Sequence, residues 1–202
     1  MNVQTPILAG RRVRLQPMTL EHLPELEAIA FDERIWRYMV EWVRTRHQLH
    51  SWMARALEEQ AAGTALPWIT LLNDGEPTDR IVGATRLTRI DWRHRRAEIG
   101  HTWLTPAVHG RGVNTEAKLL QLSFAFDELK MVRVAFRTHH ENLQSQTAIQ
   151  KLGAVYEGTA RNHYLMPDGT HRHTMWFAIT REAWPAVRLR LERQLAETLP
   201  LP

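Results

Sequence analysis

Along this chain apolar positions recur first at strand spacing and then at helix spacing. Val13 and Leu15 alternate with polar neighbours in "GRRVRLQPMT" and predict a first strand. Thr19 can cap a helix beginning "LEHLPELEAIA", with Pro24 near its first turn. In "TRHQLHSWMARALEEQAAG", Leu49, Trp52, Met53, Ala56 and Leu57 share one helical face. Thr45 with Gln48 forms a capping-box pattern, and Gly63 offers a stop. Strand-like runs follow at 68–72, 80–90 and 97–104, the first two separated by Asn73, Asp74, Gly75 and Pro77. A glycine loop at 109–113 leads into a helix over about 114–127. The segment 131–138 is β-branched and reads as a strand. "NLQSQTAIQKLG" predicts a short helix between Asn142 as cap and Gly153 as stop. "AVYEGTARNHYLM" and "HRHTMWFAI" around "PDGT" predict a hairpin. Thr180 can cap a terminal helix, about 181–197, whose buried stripe is Trp184, Val187, Leu191 and Leu195.

This order is mixed α/β without the regular alternation of a doubly wound fold. The sequence has no repeat or linker, so its 202 residues predict one domain, 1–202, with a motif-bearing core at about 11–180. Hydrophobic residues make up 44% and charged residues 24%, enough for a real core and too few in any one run for a membrane span. There is no cysteine, which excludes disulfides, thiolate nucleophiles and cysteine zinc sites. With no signal-peptide pattern in "MNVQTPILAG", a cytoplasmic protein is expected. The net charge of +4 is modest and its arginines are scattered, which argues against nucleic acid as a partner. The densest basic run, Arg93 to Arg96, reads as a solvated turn between strands.

The chemistry concentrates in "VHGRGVNTEAKLL". Glycines ahead of a helix permit a tight turn, and the helix start exposes unpaired N–H groups in a positive potential. That combination suits phosphate or pyrophosphate. It is not a Walker loop, because Lys118 lies between Ala117 and Leu119. It is not a dinucleotide fingerprint either, because Thr115 holds the third glycine position. Taken alone, the "GRG" is equally compatible with a plain turn.

In company, these segments resemble the GCN5-related N-acetyltransferases, in particular the branch that acetylates ribosomal-protein N-termini. The likeness rests on "AEIGHTWLTP", the loop from His109 to Asn114, "NTEAKLL", Asn142 with Ser145 ahead of "AIQKLGAVYEG", and "FAITREAWPAV". The resemblance implies an acyl-CoA N-acyltransferase fold, with a mixed, mostly antiparallel sheet splayed at the cofactor site and flanked by helices. It implies acetyl-CoA as co-substrate and direct transfer to a primary amine: a protein N-terminus, an amino acid or a small amine. It assigns cofactor contact to His109, Gly110, Arg111, Gly112, Val113, Asn114, Thr115, Asn142 and Ser145. His109 and Asn114 depart from the family pattern, which usually has Gln or Arg and Gly or Ala there. Glu98 is the candidate base, acting through water, and Ser145 the candidate hydrogen-bond donor near the thioester sulfur.

Plainer readings stand beside each assignment. Glu98 could pair with Arg95 or Arg96, and Asn142 and Ser145 could serve only the helix end. Alternation puts His101 on the sheet face opposite Glu98. His139, at a strand end, is a weaker candidate base. His163, His171 and His173 lack the partners of a metal site, so none is expected. Trp36, Tyr38 and Trp42 either line the acceptor side or close the core. The alternatives are a coenzyme A-binding module without catalysis and, more remotely, a nucleic-acid binder; a monomer or a homodimer is expected.

Overall fold

The computed structural model describes residues 4–73 and 79–198; Asp74, Gly75 and Pro77 of the predicted turn lie outside them. Eight strands form one sheet: β1 (Leu8–Ala9), β2 (Val13–Pro17), β3 (Leu66–Leu72), β4 (Arg80–Asp91), β5 (Arg96–Leu104), β6 (Arg133–His139), β7 (Val155–Leu165) and β8 (His171–Thr180). Their spatial order is β1-β2-β3-β4-β5-β6-β8-β7. Every pairing is antiparallel except β5 with β6. The helices are α1 (Leu23–Ala30), α2 (Glu33–Trp36), α3 (Arg46–Ala61), α4 (Val113–Ser123), α5 (Leu143–Leu152) and α6 (Trp184–Thr198). No helix among the described residues is long and apolar enough to cross a membrane.

The sheet separates two cores. On one face Val13, Leu15, Trp68, Ile99, Val134 and Phe177 pack with α4 and α6 through Val113, Ala117, Leu122, Trp184 and Leu191. On the other, Ile69, Ala84 and Trp103 pack with α1, α2 and α3 through Leu26, Trp36, Leu49, Trp52 and Met53. Covered on both sides, β3 is buried at all seven positions, which is why its sequence does not alternate. In β2, Arg14 is exposed between buried Val13 and Leu15.

Local chemistry accounts for the helix ends. Gln48 N–H donates to Thr45 Oγ1 (3.2 Å), while Gln48 Oε1 accepts from Arg44 N–H (2.8 Å), so the predicted box closes one residue upstream. Trp36 is 2% exposed and donates its indole N–H to the Ala30 carbonyl (2.6 Å) at the end of α1. Gly63 and Gly153, at φ 72° and 98°, terminate α3 and α5 in the left-handed region. The predicted stripe of α6 is buried. Thr180 does not cap α6. It ends β8 opposite Arg133, and a turn at 181–183 intervenes. The two-residue β1 was too short to leave a sequence pattern. Residues 93–95 of the basic run lie in the exposed turn expected between β4 and β5, and exposed Arg96 opens β5.

Candidate functional site

Parallel pairing between β5 and β6 lasts for three residue pairs, Arg96–Arg133, Ala97–Val134 and Glu98–Ala135. Beyond them β5 stays with β4, and β6 stays with β8. One extra residue in β5 between Gly100 and Trp103 explains the divergence: His101 adopts φ 48°, a bulge that twists its strand. The fork opens into a cleft of about 810 Å³ that reaches the glycine loop and α5. From Gly100 to Leu104 the β6-facing edge of β5 has no strand partner among the described residues.

At the cleft mouth Gly110 and Gly112 have φ 77° and 78°, conformations that disfavour any side chain. Gly112 precedes α4 without side-chain capping, and the amides of Val113, Asn114 and Thr115 have no hydrogen-bond partner among the described residues. A Cβ built on Gly110 would meet nothing within 4 Å, so the turn is open to a ligand. The groups present thus fit a diphosphate. His109 braces the loop: its Nε2 lies 3.2 Å from the Leu104 carbonyl, and its Nδ1 lies 3.4 Å from Gln144 Nε2 of α5. Glu116, which sequence reasoning passed over, fixes the first turn of α4. Its Oε1 accepts the amides of Arg11 and Arg12, tying α4 to the β1–β2 turn.

The predicted cofactor residues divide. His109, Gly110, Gly112, Val113, Asn114, Thr115, Asn142 and Ser145 all line the cleft. Arg111 does not; it is exposed outside it. The Val113 side chain is buried in the core, leaving its amide for the loop side. Asn142 is a true cap, its Oδ1 accepting Ser145 N–H (3.0 Å), while its amide group and the Ser145 hydroxyl have no hydrogen-bond partner among the described residues.

Glu98 is 6% exposed and its partners are not Arg95 or Arg96. Arg137 Nε lies 2.7 Å from its Oε2 and Arg89 Nε 3.6 Å away. Burial pushes the Glu98 carboxyl above its ordinary pKa, and Arg137, Arg89 and Arg172 only partly offset this. His101 overturns the alternation argument. Its bulge lets it line the same cleft as Glu98, where the cleft walls and the charges of Arg86 and Arg137 disfavour its protonation. His139 also lines the cleft, beside the Tyr38 ring (5.3 Å), with Nδ1 accepting Glu141 N–H (3.0 Å). Burial, then the His140 and Arg172 charges, lower its pKa. The three aromatic candidates separate: Trp36 is core, Tyr38 lines the cleft, and Trp42 is half-buried under Arg44. Among the described residues no group of three or more His, Cys, Asp or Glu is placed to hold a metal; the His173 ring lies 4.4 Å from that of His140, tilted by 42°.

Lys118 entered the sequence reading only as the residue whose neighbours exclude a Walker loop. It is 4% exposed and lines the cleft from α4, with its Nζ 2.7 Å from Thr102 Oγ1, 2.8 Å from Gln121 Oε1 and 2.9 Å from Thr85 Oγ1. Its place on the buried face of an amphipathic helix was the only sequence signal. Burial lowers its pKa from 10.5 to about 7. Between those values the unfolded chain binds the proton that the folded chain releases, so stability rises with pH through this window. Lys118→Met removes that dependence. Urea unfolding is expected to show the parent gaining on the variant from pH 7 to 10; a constant difference would contradict the buried neutral amine.

The family described as "Acetyltransferase (GNAT) domain" matches residues 12–155. The chain is 31% identical over 114 residues to "Putative ribosomal N-acetyltransferase YdaF" of Bacillus subtilis, covering 56% of this chain and 59% of that protein. A crystal structure of a GCN5-related N-acetyltransferase from Brucella melitensis superposes with TM-score 0.87 at 28% identity, covering 97% of this chain and 88% of that one. A Mycobacterium smegmatis RimJ in complex with CoA-disulfide superposes at 0.80 over 94% and 95%; at 21% identity it shows the fold alone.

Proposed function

We propose the following for a chain that belongs to the GNAT acetyltransferase family: it binds acetyl-coenzyme A in the β5–β6 fork and transfers the acetyl group directly to a primary amine. The observation that carries this reading is the fork itself, an unpaired strand edge running to a glycine turn with free amides. The coenzyme supplies an activated acetyl thioester. The amides around Gly112 and of Val113, Asn114 and Thr115 hold its diphosphate, and His109 braces their loop. The free edge of β5 pairs with the amide-bearing arm in the manner of an added strand. Asn142 and Ser145 offer an amide and a hydroxyl at the start of α5, where a hydrogen bond would favour departure of the thiolate. Glu98, with its raised pKa, accepts the amine proton through water. The acceptor is a protein N-terminus, an amino acid or a small amine.

The test is calorimetric titration with acetyl-coenzyme A, followed by thiol release across an amine panel at pH 7–9. Uptake with turnover supports the reading, uptake without turnover leaves a coenzyme-binding module, and no uptake at millimolar concentration refutes both. Glu98→Gln is expected to lower kcat about 10- to 1000-fold, most severely below neutral pH, where the free amine is scarcest. The deficit should narrow as pH rises. A pH–rate profile with the parent's shape and height would remove Glu98 from the chemistry.

A further inference from the structure

Beyond the glycine loop, on the sheet face that carries Glu98, two guanidiniums close on one carboxylate and a third stands beside them. Arg137 and Arg89 approach Glu98 Oε2, and both reach the Tyr164 hydroxyl, at 3.1 and 3.3 Å. Arg172 joins them from β8. Its Nη1 donates to the Tyr38 carbonyl (3.1 Å) and its Nε to Thr174 Oγ1 (3.2 Å), and no carboxylate among the described residues lies within ion-pair distance. Desolvation and the Arg137 charge depress its pKa to about 10, and Tyr164 and Glu98 offset this only in part. Arg89, Glu98, Arg137, Tyr164 and Arg172 line one cleft. Its other carboxylates are engaged elsewhere, Glu41 with Arg55 and Glu59 with Arg86.

We infer that the acceptor is an amine carrying a carboxylate close to its reacting nitrogen, received by Arg172 and Arg89. The inference rests on the acetyl-transfer reading and narrows its substrate class. A guanidinium offers paired N–H donors matched to a carboxylate, and the cleft's excess positive charge disfavours a polyamine. The carboxylate can come from a free amino acid or from an acidic side chain beside a protein N-terminus.

The experiment uses product-like probes, so turnover is not required. Protein saturated with coenzyme A is titrated with N-acetylalanine and N-acetylalaninamide, then with acetyl-Ala-Glu and acetyl-Ala-Gln peptide amides. The set is repeated without the coenzyme. In at least one pair the carboxylate should bind about 10- to 100-fold tighter, and the pair that discriminates identifies its source. Arg172→Gln should abolish the preference and Arg89→Gln reduce it several-fold. Arg89 is largely exposed, so its variant tests the idea even if Arg172→Gln disturbs Tyr38. Equal or undetectable binding in both pairs, a preference surviving both substitutions, or tighter binding of spermidine would overturn the inference. Failure of coenzyme uptake would instead refute the acetyl-transfer reading.

Discussion

Replacing Gly112 with valine is expected to weaken acetyl-coenzyme A binding by about 100-fold. Gly112 sits at φ 78° immediately before α4. A left-handed conformation costs an ordinary L-residue about 1–2 kcal/mol, and a β-branched one more. The variant's loop relaxes toward negative φ, which swings the amides ahead of α4 away from the diphosphate. Hydrogen bonds to a charged group are worth about 1.5–3 kcal/mol each, so losing one or two gives roughly this change. Gly110→Ala is a graded control. Its φ is 77°, but its Cβ would enter open space, so the loss should stay within about tenfold. Calorimetry on both variants, with circular dichroism to confirm folding, decides the matter. Unchanged affinity in Gly112→Val would place the diphosphate elsewhere.

Trp52→Ala is expected to lower stability by about 3–5 kcal/mol, the usual range for a buried aromatic residue cut to alanine. Trp52 is 2% exposed. Its ring meets Trp36 edge-on at 5.8 Å and Trp103 at 6.4 Å, joining α3 to α2 and to β5 beyond the bulge. The Arg86 guanidinium lies over it at 4.2 Å and donates to the Trp52 carbonyl at 2.9 Å. Truncation leaves a cavity beside a buried cation, so the thermal midpoint should fall by roughly 6–20 °C. Because Trp103 follows the bulge that opens the fork, coenzyme affinity should fall as well. A midpoint within about 2 °C of the parent's would show that these three tryptophans do not act as one packed unit.

Much of the architecture was legible because its signals are local. Thr45 and Asn142 cap helices as their side chains suggest, and Gly63 and Gly153 end them. The Trp184–Leu195 stripe is buried as its spacing implies. Thr180 misled because its backbone was committed to β6, a partner distant in sequence. Alternation failed at His101 for a comparable reason, since a bulge becomes visible only once β4 and β5 are in register. Arg111, the charged residue between the two glycines, is exposed and stands outside the cleft lining that its neighbours share.

The chain by itself determined which elements form, in what order, and where a glycine turn feeds a helix, because propensity, capping and periodicity act over a few residues. Only the tertiary structure decided that β5 and β6 part after Glu98, that Arg137 rather than Arg95 or Arg96 faces that carboxylate, and that Arg172 stands beside them with no carboxylate of the described residues at ion-pair distance. Those outcomes depend on strand register and bulges, which bring together side chains tens of residues apart, and no window along the sequence contains both members of such a pair.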